Sequence, residues 1–246
     1  MTGLQGRSLL VVGGGSGIGF AAARIAAEEG ARVLVADIDE GVAEEVLAIA
    51  GETGFVVCDA REATAAALAV ATAVDRHGRL DGLLTTVGGA HIGGLEELTS
   101  ADWEAEVAFN LTSTFEVCRA AVPVLREQRG GAIVTTSSGY AVMAGADRPG
   151  YVAAKAGVVA FTRSLAATLA PHRARANCIA PGPTDTPRFR AMNGGDAGVE
   201  RVRASMPLGE IPTPEDCANV ALFLLSDAAR QVTGQVIHVN GGLLMA

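Results

Sequence analysis

Tyr151 and Lys155 lie four residues apart in an Ala-rich stretch that reads as a helix, so their side chains share one face. Lys155 is the only lysine beside 18 arginines, and residues 151–161 are otherwise uncharged. An ammonium near a phenol stabilises the phenolate and lowers a pKa that starts at ~10, giving an acid or base usable near neutral pH. The chemistry would be proton transfer at a carbonyl or an alcohol. The other tyrosine, Tyr140, has Ala144 four residues on and makes no such pair. Ser137 and Ser138 close the fifth expected strand, at the carboxyl edge where open α/β sheets bind ligands, and a hydroxyl there could hydrogen-bond a substrate oxygen. The same residues also fit a tyrosine at a helix start, a snorkelling lysine and two turn serines.

Val11-Val12-Gly13-Gly14-Gly15-Ser16-Gly17-Ile18-Gly19 follows one apolar run and opens an amphipathic Ala-rich stretch. Glycines let backbone approach a pyrophosphate closely, and the free N–H groups and dipole of a helix start then hold the anion. Glycine turns between strand and helix also arise for steric reasons alone. The next apolar run ends in Val35-Ala36-Asp37, roughly 20 residues on, where a carboxylate can accept hydrogen bonds from an adenosine ribose. Asp37 would repel a 2′-phosphate, and no Arg or Lys stands at Gly14, Gly15, Ser16 or Ile38, so NAD is expected over NADP. A helix N-cap is the other reading of Asp37, although Asp39 could cap as well.

Such residues need a scaffold. Short β-branched runs at 8–12, 32–36, 54–57, 82–86, 132–136, 174–179 and 235–239 alternate with helical stretches at 17–29, 63–76, 103–128, 151–170 and 214–225. The alternation predicts an α/β fold in one domain spanning 1–246, a seven-stranded parallel sheet with helices on both faces. Residues 181–198 carry Pro181, Pro183, Pro187, Gly194, Gly195 and Gly198 without clear periodicity, and read as a mobile substrate lid around 183–206.

Composition narrows the partners. The chain has 246 residues, 49% hydrophobic, and a formal net charge of −8, which leaves no basic excess for nucleic acid. No apolar run is expected to reach the ~20 residues of a membrane span. Cys58, Cys118, Cys178 and Cys217 lie far apart without Cys/His pairing, so neither a metal site nor a disulfide framework is signalled. A cytoplasmic protein with buried thiols is the expectation. Between Val152 and Ala170 only Lys155 and Arg163 are charged, and the chain ends in Leu243-Leu244-Met245-Ala246; such faces predict burial against further copies.

Taken together these motifs resemble the classical short-chain dehydrogenase/reductase family over nearly all of the chain. Its TGxxxGxG turn corresponds to Val12 through Gly19, its YxxxK pair to Tyr151 and Lys155, and its serine, thirteen residues before the tyrosine, to Ser138. Asn110 resembles the family's helix asparagine, 177–182 (Asn-Cys-Ile-Ala-Pro-Gly) resembles its segment beside the nicotinamide, and 233–242 resembles its final strand. Two departures stand out: Val12 replaces a threonine, and Thr85-Thr86-Val87-Gly88 replaces Asn-Asn-Ala-Gly, so side-chain bonds across the central sheet must be rebuilt or lost.

The resemblance implies a Rossmann-like doubly wound fold and hydride transfer between a secondary alcohol or ketone and a nicotinamide. Tyr151 would be the acid/base, Lys155 would lower its pKa and hold the nicotinamide ribose, Ser138 would polarise the carbonyl, and Asn110 would hold a water linking the lysine to solvent. Implied cofactor contacts are Gly13, Gly15, Ser16, Gly17, Ile18 and Gly19 at the pyrophosphate, Asp37 at the ribose, Asp59 and Ala60 beside the adenine, and Gly88, Asn110, Tyr151, Lys155, Pro181, Gly182, Thr184 and Thr186 near the nicotinamide. Residues expected to face the substrate are His91, Ile92, Tyr140, Met143, Pro183, Phe189 and Met192, mostly apolar, which suits a ring or medium aliphatic chain. Arg148, Arg188 and Arg190 could meet a carboxylate or a carrier's phosphates. A homotetramer is the assembly the family implies. The alternatives are an NADPH-dependent 3-oxoacyl-carrier reductase, which Asp37 disfavours, and a dinucleotide-sensing protein without turnover.

Overall fold

Runs that are apolar on both faces become central strands. Ser8–Val12 (β1) and Ala132–Thr136 (β5) are buried at every position, as parallel strands covered on two sides must be. The computed structural model, which describes residues 3–49, 51–143 and 145–245, adds Arg32–Asp37 (β2), Thr53–Val57 (β3), Gly82–Thr85 (β4), Arg175–Pro181 (β6) and Val236–Val239 (β7). They form a seven-stranded sheet in the order β3-β2-β1-β4-β5-β6-β7, parallel throughout. The chain reverses its winding between β1 and β4, so the loops leaving these strands diverge and open a crevice at their carboxyl ends.

Helices cover both faces. Gly17–Glu28 (α1) presents Ala21, Ala22, Ala23, Ala26 and Ala27 inward, small side chains that let it lie close to the sheet. Ala43–Leu47 (α2) is a short helix outside the stretches that the sequence pattern predicts; Ala63–His77 (α3) stops at Gly78, whose φ of 77° gives a left-handed cap. The helix expected over 103–128 starts earlier and is not continuous. Thr99 and Asp102 form a capping box that starts Ser100–Val107 (α4), a π turn follows at Ala108–Thr112, and Ser113–Gln128 (α5) completes it. Pro149–Leu169 (α6) carries the Tyr/Lys pair, and Pro214–Leu225 (α9) begins with a second capping box, Thr213 with Asp216.

The expected lid is not irregular. Thr186 caps Pro187–Met192 (α7), and Asp196–Ser205 (α8) follows the glycine pair 194–195. Arg190 pairs with both Asp185 and Asp196, tying the two helices to the loop before them. Pro and Gly here punctuate helices too short to show a period.

One sequence-based expectation needs correction: Pro149–His172 is long and apolar enough, at mean hydropathy 1.3, to cross a membrane by length and composition. Its place in the fold explains the composition, since α6 packs on β6, α4 and α5 and buries Lys155. All four cysteines are free and buried. Trp103, Phe109 and Phe115 remain exposed at 42%, 36% and 40%, with Phe115 edge-on to Phe161 at 6.0 Å. Met245 is exposed; Ala246 lies outside the described residues, as does Ala144.

Candidate active site

At the end of β1 the chain turns so tightly that side chains have no room. A Cβ at Gly19 would lie 2.3 Å from the Gly13 carbonyl oxygen, and one at Gly15 would lie 2.8 Å from Asp37 Oδ2. Ser16, in extended conformation, precedes α1 without a side-chain cap, and no acidic residue occupies the first turn. The helix start therefore keeps its N–H groups and dipole for an anion, which fits a dinucleotide's pyrophosphate. Ile18, half-buried, packs against the core.

Thr86 explains how the departure from the family's Asn-Asn-Ala-Gly is accommodated. Its hydroxyl donates to Gly13 O at 2.8 Å, with Val12 O at 3.2 Å, and its N–H donates to Val12 O. The hydroxyl takes up the space that Gly13 and Gly19 leave open, so the bonds between the β1 and β4 loops are rebuilt by a shorter side chain. Thr85 gains nothing comparable, for its buried hydroxyl oxygen has no partner.

Asp37 closes β2 beside this turn. Its Oδ2 accepts the Gly15 N–H at 2.8 Å and its Oδ1 accepts that of Asp39 at 3.1 Å. Among the described residues no ion pair involves Asp37. The helix-capping alternative goes to Asp39, whose side chain accepts from Gly41 N at the start of a short 3-10 turn, Glu40–Val42. Past β3, Asp59 is clasped by Arg61 through both carboxylate oxygens, which holds its carboxyl below the usual range, and Ala60 is buried.

Four polar groups meet where β4, β5, the π turn and α6 converge. Ser138, buried at the end of β5, accepts the Tyr140 N–H at 3.2 Å. Lys155, 3% exposed, places Nζ 5.8 Å from the Tyr151 ring centroid and donates to Thr136 O at 3.0 Å and Val87 O at 3.4 Å. Burial pushes its pKa down to about 8. Gly88, with φ 148°, makes room: a Cβ there would lie 2.6 Å from both Asn110 Oδ1 and Lys155 Nζ.

The phenol behaves differently from the sequence-based expectation. Burial pushes the Tyr151 pKa up, and the groups that pull it back are the Ser138 hydroxyl, Arg148 and Arg188. The lysine's own bonds run to main-chain carbonyls, and its Nζ stands off the ring at 5.8 Å.

Asn110 sits fully buried in the π turn, and its amide is occupied on both sides. Oδ1 accepts the Gly89 N–H at 2.9 Å; Nδ2 donates to Gly89 O and Glu106 O, each at 3.0 Å, and to Glu106 Oε2 at 3.1 Å. Glu106, one turn earlier and 7% exposed, also accepts the His91 N–H on Oε1. Sequence reasoning passed over this carboxylate. The available signal was its i−4 spacing from Asn110, which puts both on one helix face.

The β6 loop closes the far side. Gly182 N donates to Val239 O, Thr184 Oγ1 donates to Gly182 O at 3.2 Å, and the Thr186 hydroxyl accepts the Phe189 N–H as the cap of α7. The Thr186 methyl would meet a Cβ at Gly17 at 3.6 Å, so this loop reaches the glycine turn across the crevice and Pro181 through Thr186 flank it.

Of the expected substrate residues, Tyr140 stands edge-on to Tyr151 at 6.3 Å and Met143 lies against the Ser138 turn, with Sδ 3.9 Å from a Cβ at Gly139. Ile92 and Met192 are exposed, Pro183 and Phe189 partly so, while His91 enters the site through its backbone. Two of the arginines meet carboxylates of the chain itself: Arg148 pairs with Asp147 and stacks on Tyr140 at 4.5 Å, and Arg190 pairs as described above. Arg188 instead donates to Ala90 O at 3.2 Å, over the loop that follows β4.

Comparison with known proteins agrees with this fold. A family model described as enoyl-(acyl carrier protein) reductase matches residues 13–244. A 3-oxoacyl-[acyl-carrier-protein] reductase of Chlamydia pneumoniae is 34% identical over 98% of both chains. A 2,5-dichloro-2,5-cyclohexadiene-1,4-diol dehydrogenase of Sphingobium indicum is 35% identical over 97% of this chain and 96% of its own. Among solved structures, a short-chain dehydrogenase/reductase from Burkholderia xenovorans superposes with a TM-score of 0.92 at 36% identity, covering 98% of this chain and 97% of that one. The family's nicotinamide dinucleotide has a matching cradle in the glycine turn, and the Tyr/Lys pair stands beside it on the same sheet edge; the chain belongs to the short-chain dehydrogenase/reductase family of oxidoreductases.

Proposed function

We propose that the protein is an NAD(H)-dependent oxidoreductase that interconverts a secondary alcohol and a ketone, with Tyr151 as the acid/base. The observation that carries this reading is the convergence of Ser138, Tyr151, Lys155 and Asn110 at the carboxyl edge of the sheet, next to the glycine turn. The bound dinucleotide supplies the hydride acceptor or donor. Ser138 hydrogen-bonds the substrate oxygen, Tyr151 takes or gives its proton, and Lys155 stabilises the phenolate as it forms. Asp37 supports NAD over NADP, because a carboxylate without a cationic partner repels a 2′-phosphate. Tyr140, Met143, Ile92 and Phe189 favour an apolar ring or chain, and α7 with α8 forms a lid over it.

The test is absorbance at 340 nm with a panel of secondary alcohols and ketones and each cofactor in turn, with Tyr151→Phe as control. NAD-linked turnover abolished by Tyr151→Phe supports the reading. Cofactor binding without turnover points to a sensor, and reduction of a 3-oxoacyl thioester with NADPH alone points to the activity named for the Chlamydia pneumoniae relative.

The exposed aromatics Trp103, Phe109 and Phe115, along α4, the π turn and α5, support a homotetramer in which α4, α5 and α6 pack against copies of themselves. Light scattering at micromolar concentration checks this, and a monomer would refute it.

A further inference from the structure

We propose that Glu106 is a positioning residue for proton transfer: its carboxylate fixes the Asn110 amide and the backbone of residues 88–91 against the Tyr151/Lys155 pair. This rests on the dehydrogenase reading above and adds a residue to it.

The geometry is that of a three-way clamp. Oε1 accepts the His91 N–H, Oε2 accepts from Asn110 Nδ2, and the side-chain stem packs on the residue before Tyr151, where a Cβ at Gly150 would lie 3.2 Å from Glu106 Cβ and 3.3 Å from its Cγ. One carboxylate thereby joins the β4 loop, the π turn and the first turn of α6. Asn110 passes the constraint on: its Oδ1 fixes Gly89 N and lies against Gly88, whose missing side chain gives Lys155 Nζ its place.

A carboxylate this deep needs a reason. It is 7% exposed, and among the described residues it makes no ion pair within salt-bridge distance. Burying a charge among dipoles alone is costly, and an apolar side chain would fill the same space at less cost. What an apolar residue cannot do is accept two N–H groups at once. Without Glu106, His91 N would lose its acceptor and Asn110 Nδ2 would keep only main-chain carbonyls, leaving both free to shift.

Glu106→Gln keeps the volume but offers one acceptor oxygen, and Glu106→Leu keeps the volume and offers none. Two measurements on the full-length protein separate the outcomes. Amide hydrogen exchange, which needs no turnover, should speed up at Gly89 and His91 by about tenfold in Glu106→Leu and less in Glu106→Gln. In steady state kcat should fall by about fivefold or more in Glu106→Gln and further in Glu106→Leu, while the NADH dissociation constant, read by its fluorescence, stays within about twofold. A purely structural role would instead lower the melting temperature and leave kcat of the folded fraction unchanged. Unchanged protection at Gly89 and His91, or lost protection with kcat intact in Glu106→Gln, overturns the proposal. Absence of turnover in the wild-type enzyme would overturn the dehydrogenase reading instead, and the exchange result would still decide whether Glu106 is the clamp.

Discussion

Lys155→Met should make the protein more stable while removing its activity. In the folded chain burial takes the ammonium from an ordinary pKa of 10.5 down to about 8. At 1.36 kcal/mol per decade that fall corresponds to about 3 kcal/mol of destabilisation wherever both folded and unfolded states are protonated. Below pH 8 the whole cost is present. Between pH 8 and 10.5 the unfolded chain binds the proton that the folded chain has released, so stability rises with pH and the cost disappears. Methionine fills the same channel without charge, but it abandons the bonds to Thr136 O and Val87 O, worth about 1 kcal/mol each. The net gain at pH 7 is therefore about 1 kcal/mol, which at about 2–4 °C per kcal/mol for a chain of this size is a few degrees in Tm. Calorimetry of the wild type and Lys155→Met at pH 7 and pH 10 is the assay. The variant should melt higher at pH 7, and the gap should close and reverse by pH 10, where the lost bonds to Thr136 O and Val87 O outweigh what is left of that cost. A variant that melts no higher at pH 7, or a gap that does not shrink with pH, would show that the buried ammonium does not strain the fold and that the desolvation argument is wrong.

Other outcomes follow from the same geometry. Lys155→Arg keeps the charge but not the compact head, and should cost about tenfold or more in kcat with folding preserved by circular dichroism; a loss under about twofold would refute the placement. Asp37→Ala should narrow the preference for NAD over NADP by relieving repulsion, measured as the ratio of dissociation constants, and equal affinities already in the wild type would refute the cofactor assignment. Thr86→Val removes the hydroxyl that bridges the β1 and β4 loops, and should lower stability by about 1–2 kcal/mol in urea with little change in kcat.

Most of the fold could be read because a doubly wound sheet repeats a simple pattern. Strands buried on both faces leave unbroken apolar runs, such as Leu9 through Val12, and each is followed by a stretch long enough to cross back. The same pattern fails where length is short: α2 has five residues and anchors through Val46 alone, and α7 and α8 are held by the Thr186 cap and by ion pairs rather than by a long apolar stripe, so no period announced them. The site divides in a similar way. Tyr151 and Lys155 were legible because a helix fixes i and i+4 on one face, and Asp37 because it ends a strand beside the glycine turn.

Glu106 was not legible, although the same spacing rule relates it to Asn110, because an acidic residue among Glu104, Glu106 and Asp102 on an amphipathic helix reads as solvated surface. A π turn follows at 108–112, where an extra residue shifts the helix phase; Asn110 sits buried in it, and Glu106 just before it accepts from His91 N and the Asn110 amide. The phase shift has no sequence signature of its own, since it is decided by what α4 and α5 pack against. A helical period therefore identifies the Tyr151/Lys155 pair on a regular helix but mistakes site for surface beside the turn where the helix is irregular, and that turn holds Asn110.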